Sequence, residues 1–205
     1  MTSSVLEREV ETKPWYEFIE DINSGFIFIA GPTCSGKTTL SHTLKSYFED
    51  RHIGVTIIKQ DDYYKDIKDI PWSYKGYLTD VKDAFHLSNM VEDFKKYLKN
   101  GKAEIPVYDM IPHKKVSQQY ITRSPITIVE GLHTIATFYG IVDAVYLYMD
   151  VPTKTCAELR AERDWKNDHI KKDDSIIHFI ECIGPFYEEE VFSQKYLEGV
   201  ITFRP

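Results

Sequence analysis

The sequence contains few cysteines, no long hydrophobic run and no excess of positive charge. Its three cysteines, Cys34, Cys156 and Cys182, are widely spaced, so neither a disulfide framework nor a structural zinc site is predicted. The longest uninterrupted apolar run covers only residues 144–149, whereas a membrane-spanning helix needs ~20 residues. A net charge of −7 without a basic block argues against sequence-independent binding of nucleic acid. The N-terminus is acidic and lacks the apolar stretch of a secretory signal, so we expect a cytoplasmic location.

The length and composition indicate one folded domain with an extension. The chain has 205 residues, of which 42% are hydrophobic and 28% are charged, as is usual for a globular domain. We therefore expect an extension over residues 1–25 and a domain over residues 26–205. Helical spacing behind Pro14 predicts a helix over residues 14–23 that docks on the core through Trp15, Phe18, Ile19 and Ile22. The alternative is a flexible acidic tail.

Short apolar segments alternate with amphipathic segments along the domain. Strands are predicted at residues 26–30, 55–58, 126–129, 144–149 and 200–203. Helices are predicted after the first strand and over residues 84–98, 153–163 and 174–191. Residues 105–125 contain three prolines and are predicted to form an excursion from the core, such as a hairpin. The alternation predicts an α/β fold, a three-layer sandwich with a mostly parallel central sheet.

A phosphate-binding loop is predicted directly after the first strand. Residues 31–38, GPTCSGKT, match the pattern G-x-x-x-x-G-K-[ST], in which glycines let backbone N–H groups cradle phosphate oxygens. Lys37 would place a cation against the terminal phosphates of ATP, and Thr38 would offer a hydroxyl to Mg²⁺. The alternative is a glycine-rich turn with a surface lysine. The predicted nucleotide-binding residues are Gly31, Pro32, Thr33, Cys34, Ser35, Gly36, Lys37, Thr38 and Thr39.

Acidic side chains follow two further strands, at the sheet edge where α/β proteins bind ligands. Asp61 and Asp62 come after the second strand, where a carboxylate could accept a proton from an attacking hydroxyl. Glu130 ends the third strand, and we predict that it binds Mg²⁺ together with Thr38. The alternatives are a solvated acidic turn for Asp61 and Asp62, and a helix cap or ion-pair partner for Glu130.

The order of these segments resembles the uridine kinase family, within the wider group that contains phosphoribulokinase and nicotinamide riboside kinase. The resemblance covers residues 26–203 and rests on GPTCSGKT, IKQDDYYK, TDVKDAF at 79–85, GKAEIPVYDMIPHKK at 101–115, IVEG at 128–131 and MDVPTKTCAELRAERD from 149. It implies a P-loop NTPase fold with a substrate-side excursion over residues 105–125 and a helical lid over residues 153–175. It also implies Mg²⁺-dependent transfer of the γ-phosphoryl group of ATP to the 5′-hydroxyl of a small-molecule nucleoside.

The resemblance also implies roles for individual residues. Asp61 would be the general base, and Lys37 and Arg163 would complete the catalytic set. The implied acceptor-binding residues are Asp61, Tyr64, Asp80, Tyr108, His113 and Arg160. Bland alternatives exist for several of them: Asp80 could cap the following helix, Tyr108 could belong to the core and His113 could be structural.

The sequence departs from the family pattern at the lid and at the base pocket. Asp168 and Ile170 stand where the family has lid arginines, unless the following lysines, Lys171 and Lys172, replace them. Residues without an aromatic ring, Thr79 and Met110, stand where pyrimidine kinases have aromatic residues. Three interpretations follow: a uridine- or cytidine-like acceptor, nicotinamide riboside or another nucleoside-like acceptor, or a catalytically weak nucleotide-binding protein.

A switch GTPase is excluded because no Asn-Lys-x-Asp motif occurs in the chain. The sequence does not decide the oligomeric state, and a homo-oligomer is kept open.

Overall fold

A computed structural model of the protein describes residues 15–74 and 76–204. The strands, in chain order, are β1 Gly25–Ala30, β2 Val55–Lys59, β3 Trp72–Ser73, β4 Gly76–Tyr77, β5 Lys102–Asp109, β6 Lys114–Thr122, β7 Ile126–Glu130, β8 Val145–Met149 and β9 Val200–Phe203. The α-helices are α1 Lys37–Glu49, α2 Leu87–Asn100, α3 Thr134–Phe138, α4 Thr153–Asp168, α5 Lys172–His178 and α6 Gly184–Glu190.

Five strands form a parallel sheet in the order β2-β7-β1-β8-β9. Parallel pairing requires a crossover between neighbouring strands, and the helices that make these crossovers cover both faces of the sheet. The predicted three-layer α/β fold is therefore confirmed. Two antiparallel hairpins, β3-β4 and β5-β6, lie outside the central sheet.

The central strand β1 contributes to a separate core on each face of the sheet, because successive side chains of a strand point to opposite faces. Phe28 packs against Phe94 of α2 and Phe138 of α3, with ring centroids 5.8 and 5.3 Å away. The neighbouring residues of the strand, Ile27 and Ile29, belong to the opposite cluster, which α1 covers. Burial on both faces explains why the strand has an uninterrupted apolar sequence.

The N-terminal segment packs on the face that α1 covers. Ile19 is fully buried there, and Phe18 and Ile22 pack against the same cluster. A continuous helix over residues 14–23 is expected from the spacing, but the described part is a 3₁₀-helix over Trp15–Phe18 followed by turns. Its backbone bonds link residues three apart, as in Ile22 N–H to the Ile19 carbonyl, which is the tighter 3₁₀ pattern. Pro14 lies outside the described residues.

The segment expected as an excursion is the β5-β6 hairpin, in which Lys102 pairs with Thr122 and Asp109 with Lys114. A third cluster packs α4, the π-helix Phe179–Ile183 and α6 against residues 70–85, through side chains such as Phe179, Ile183 and Tyr187. Among the residues described, no helix combines the length and the hydrophobicity needed to cross a bilayer.

Candidate active site

The phosphate loop joins the end of β1 to the start of α1. The Lys37 amine is buried and donates to the carbonyl oxygens of Gly31 and Pro32, over 3.0 and 2.6 Å. Gly31 has a φ of +149°, and a Cβ at this position would lie 2.8 Å from the carbonyl oxygen of Met149. Glycine is therefore required at Gly31 both by backbone conformation and by space.

Two features of the loop fit an anion. The N–H groups of the first turn of α1 have no partner within the helix, and the positive end of the helix dipole lies there. The Ser35 hydroxyl is buried, and within residues 15–74 and 76–204 no hydrogen-bond partner is found for it. A phosphate oxygen is a suitable partner for these donors, which supports the nucleotide site expected from the sequence.

Thr38 and Glu130 lie together although they are far apart in the chain. Glu130 is paired with Ile29 in the β1-β7 ladder, so its side chain is presented beside the start of α1. The Thr38 hydroxyl donates to Glu130 Oε1 over 3.1 Å. A hydroxyl and a carboxylate are hard oxygen ligands, which suit Mg²⁺ when phosphate and water complete the coordination. The described residues contain no group of three or more His, Cys, Asp or Glu side chains able to hold a metal by themselves.

Asp61 follows β2, in a short 3₁₀-helix over Gln60–Tyr63. Asp61 is exposed as a whole residue, but many protein atoms surround its carboxyl group. This desolvation, followed by the nearby Glu130 carboxylate, raises the pKa of Asp61 to about 6 against the opposing effect of Lys37. The neighbouring Asp62 instead accepts a bond from the Tyr108 N–H, over 3.4 Å. The structure thus separates the two acidic residues, with Asp61 in electrostatic range of the phosphate loop lysine.

Gln60 holds the end of β2 close to the end of β7. It is fully buried, and its side-chain oxygen accepts from the His133 N–H over 2.8 Å. A Cβ at Gly131 would lie only 2.3 Å from Gln60 Cβ, so the close approach of the two segments requires a glycine there. This contact fixes the position of Asp61 relative to Glu130.

Asp80 lies in a buried network rather than in an open pocket. Its Oδ2 accepts from Arg160 Nη1 over 3.0 Å and from the Tyr187 hydroxyl over 2.5 Å, and its Oδ1 accepts from the Thr79 hydroxyl over 2.9 Å. Desolvation would raise the pKa of Asp80, but Arg160 and the two hydroxyls outweigh it and hold the pKa below its usual value. Three of about four acceptor positions of this carboxylate are occupied.

Asp164 of α4 contacts both of the arginines that are expected to belong to a lid, Arg160 and Arg163. Arg163 donates to Asp164 Oδ1 over 3.0 Å, and Arg160 Nε lies 3.6 Å from Asp164 Oδ2. Asp164 also accepts from Ser175 of α5 over 2.7 Å, so the two helices are joined at this point. Arg163 has 48% of its side chain exposed, whereas Arg160 is buried.

The two lysines expected as replacements for lid arginines lie at the start of α5. Lys172 pairs with Glu162 of α4, and Lys171 precedes α5 as an exposed residue. Ile170, which stands at an expected arginine position, is 44% exposed.

An aromatic group borders the acceptor side of the cleft. Tyr64 packs between Phe85 and Tyr108, with ring centroids 4.1 and 5.5 Å away, and the Tyr108 hydroxyl donates to the Lys65 carbonyl. His113 lies at the exposed tip of the β5-β6 hairpin, where its carbonyl accepts from Ile67 N–H over 3.0 Å. The structure therefore brings Tyr64 and Tyr108 together and leaves the His113 side chain at the surface.

Several residues of the site escaped the sequence analysis. Tyr187, Asp164 and Gln60 hold the expected residues in place. Gln60 lies in IKQDDYYK and Asp164 in MDVPTKTCAELRAERD, two segments that carry the family resemblance, but neither residue was assigned a role. Their adjacency to Asp61 and to Arg163 was the signal that could have found them. No pattern in the sequence distinguishes Tyr187 from an ordinary core aromatic residue.

A parallel sheet with a phosphate loop after its central strand, a carboxylate at the end of β7 and another just beyond β2 is the arrangement of a P-loop kinase. The model of the phosphoribulokinase / uridine kinase family matches residues 26–167. The chain belongs to this family.

Individual proteins agree with this assignment. The chain is 26% identical to a uridine kinase from Lactobacillus helveticus over 180 residues, which cover 86% of this chain and 84% of the relative. A structure from Bacillus stearothermophilus described as a possible uridine kinase matches with a TM-score of 0.60, at 18% identity over 90% of this chain and 94% of the other. A D-glycerate 3-kinase from Cryptococcus neoformans shares the fold, with a TM-score of 0.57, 13% identity and coverage of 87% and 84%.

Proposed function

We propose that the protein transfers the γ-phosphoryl group of ATP to the 5′-hydroxyl of a nucleoside, with uridine or cytidine as the leading acceptors. The observation that carries this proposal is the position of Asp61, in electrostatic range of both Lys37 and Glu130. A base beside the phosphate loop is what a kinase needs and what a protein that only binds nucleotide does not need.

In the proposed reaction Asp61 accepts the proton of the acceptor hydroxyl as the oxygen forms its bond to the γ-phosphorus. The bond between the γ-phosphorus and the oxygen bridging to the β-phosphate breaks, and ADP leaves with that oxygen. Lys37 and the loop N–H groups neutralise the charge on the phosphates, and Arg163 is the candidate for the same task from the lid. Thr38 and Glu130 would hold Mg²⁺, which supplies further neutralisation of phosphate charge when bound.

Acceptor recognition is proposed for the residues on the other side of the cleft. Tyr64 and Tyr108 present aromatic rings suited to a flat base, while Asp80 and Arg160 offer a charged pair to the sugar hydroxyls. His113 reaches the site only if the β5-β6 hairpin moves toward the cleft. A cytoplasmic location and a homo-oligomeric state stay predictions.

One observation favours a second candidate, a small acceptor without a ribose; nicotinamide riboside is a further alternative, but it carries the same ribose hydroxyls as uridine, so this observation does not favour it. The Asp80 carboxylate has about one free acceptor position and is 4% exposed, which leaves little capacity for two ribose hydroxyls. A relative of similar fold is a D-glycerate 3-kinase, so acceptors without a base belong in the test.

The test is release of ADP by the purified protein with ATP, Mg²⁺ and single acceptors: uridine, cytidine, nicotinamide riboside and D-glycerate. We expect a nucleoside to give the highest activity, with the 5′-monophosphate identified by mass spectrometry and no activity after chelation of Mg²⁺. Asp61→Asn is the control for background hydrolysis. ATP binding by calorimetry without transfer to any acceptor would contradict the proposal and support the catalytically weak alternative.

A further inference from the structure

Tyr187 of α6 joins the two sides of the cleft through a single oxygen atom. Its hydroxyl donates to Asp80 Oδ2 over 2.5 Å and accepts from the Thr33 N–H over 3.1 Å. The residue is 1% exposed, so both bonds lie in a poorly solvated environment where hydrogen bonds polarise one another. The Tyr187 hydroxyl therefore makes two hydrogen bonds at once, one with Thr33 of the phosphate loop and one with the Asp80 carboxylate.

The position of this hydroxyl is fixed by packing and by a second contact of the same helix. The ring of Tyr187 packs edge-on between Phe179 and Phe192, with centroids 5.2 and 5.6 Å away. One turn further along, the Glu190 carboxylate accepts from the Lys82 N–H over 2.7 Å. The helix is thus attached to the segment that contains Asp80, and Tyr187 has little freedom to leave its position.

The contact on the loop lies beside the catalytic lysine. Lys37 binds the carbonyl oxygens of Gly31 and Pro32, which directly precede Thr33. A phosphate bound at this end of the loop would compete with the Tyr187 hydroxyl for the Thr33 N–H or would shift that N–H, and either change would alter the bond from Tyr187 to Asp80.

We propose that Tyr187 is a positioning residue that couples nucleotide binding at the phosphate loop to acceptor binding at Asp80. It acts through Thr33 and Asp80 and contacts neither the transferred group nor the acceptor oxygen. The inference rests on the proposed function, since it concerns the acceptor of that reaction.

The test compares Tyr187→Phe with Tyr97→Phe. Both changes remove one buried hydroxyl and keep the ring, and the Tyr97 hydroxyl bonds Thr127 over 2.9 Å in the separate cluster that contains Phe28 and Phe94. The dissociation constant of a non-hydrolysable ATP analogue is measured by calorimetry with and without the best acceptor. We expect the two constants to differ by about fivefold or more in the wild type and in Tyr97→Phe, and to be nearly equal in Tyr187→Phe. An equal ratio in the wild type and Tyr187→Phe overturns the proposal.

Kinetics supply a second readout that a merely structural role would not change. Tyr187→Phe should raise the acceptor KM about tenfold, the usual effect of losing a hydrogen bond to a charged group, with a smaller change in kcat. Adding Tyr187→Phe to Asp80→Asn should have little further effect, because the two residues act together. Full additivity of the two changes overturns the proposal.

Asp80→Asn alone tests the coupling in case Tyr187→Phe melts below the assay temperature. It removes the charged partner of the Tyr187 hydroxyl without changing the loop, so the affinity for the ATP analogue without acceptor should shift. An unchanged affinity overturns the inference even when transfer activity is demonstrated. Failure of every acceptor with the wild type instead contradicts the proposed function, while the affinity shift in Asp80→Asn still decides whether Tyr187 links Asp80 to the loop.

Discussion

The proposed phosphate side and the proposed acceptor side of the cleft are built in different ways. On the phosphate side, one loop of consecutive residues supplies the lysine, the hydroxyls and the N–H groups, and the rigid strands β1 and β7 hold Thr38 against Glu130. On the acceptor side, single residues come from α4, α6 and the segment before α2, and a buried network of hydrogen bonds holds them together.

Because of this difference, one side of the cleft suits the phosphate binding that all such kinases share, and the other side suits the choice of acceptor. Backbone N–H groups on a rigid sheet bind any nucleotide phosphate in the same way, so the phosphate side tolerates little change. The acceptor side is made of side chains on short helices and hairpins, which can change without altering the sheet. Members of one fold can thus phosphorylate different acceptors.

The largest effect is expected for the base, the point at which the two sides meet. Asp61→Asn should lower kcat ~10²–10⁴-fold because the amide cannot accept the proton. Asp62→Asn is the matched control and should cost much less, since Asp62 binds the Tyr108 N–H on the hairpin side. Equal losses in a steady-state assay would contradict the assignment.

The same residue predicts a pH dependence. Only the ionised carboxylate accepts a proton, and the pKa of Asp61 is raised to about 6. The kcat/KM of the wild type should therefore be low below this pH and should rise as the pH increases through it. In Asp61→Asn this rise of kcat/KM with pH should be absent. If the variant keeps the rise, another group is responsible for it.

The phosphate side is tested by Lys37→Ala. The loss of a preorganised cation should lower kcat about 10²–10³-fold, with the chain still folded because the sheet and α1 remain. Lys45→Ala is the control on the same helix, where Lys45 makes only a surface pair with Glu49 at 3.7 Å. Near-normal turnover of Lys37→Ala would show that the loop does not bind the transferred phosphate.

The acceptor side is tested by Asp80→Asn. An alanine would remove the nearer of the two acidic partners of the buried Arg160, leaving only Asp164 at 3.6 Å. Breaking a buried pair costs about 3–5 kcal/mol, so the isosteric change is preferable. The preference for a ribonucleoside over its 2′-deoxy form, as a ratio of kcat/KM values, should fall about tenfold. Asp83→Asn, an exposed change in the same segment, should leave the ratio unaltered, and an unaltered ratio in Asp80→Asn would place the ribose elsewhere.

The smallest effect on activity is expected far from both sides, at the N-terminal segment. Ile19 is fully buried, so Ile19→Ala should lower the free energy of unfolding by about 2–5 kcal/mol and leave kcat and KM unchanged. Glu20→Ala, at an exposed neighbour, is the control for denaturant unfolding. We also expect deletion of residues 1–24 to lower the melting temperature, and equal melting would show that the segment is only a tail.

Much of the fold and one side of the site could be predicted from the sequence. Apolar segments that alternate with amphipathic segments predict a parallel sheet between helices. The strands are buried on both faces and are therefore apolar throughout, and the helices that cover them are amphipathic. The phosphate loop could be predicted from residues 31–38 alone, because all the groups that it requires lie in one continuous segment. The strand-end position of Glu130 was equally readable, because the carboxyl ends of parallel strands meet at one edge.

Only the tertiary structure decided how the acceptor side is assembled. Asp80 lies 80 residues from Arg160 and 107 from Tyr187 in the chain, so their contact depends on how α4 and α6 pack against the segment before α2. The spacing of apolar residues along the chain can indicate that a tyrosine is buried, but it does not indicate which group its hydroxyl binds. The partner of a single buried polar atom is selected by the packing of distant elements, and that packing has no local signature in the sequence.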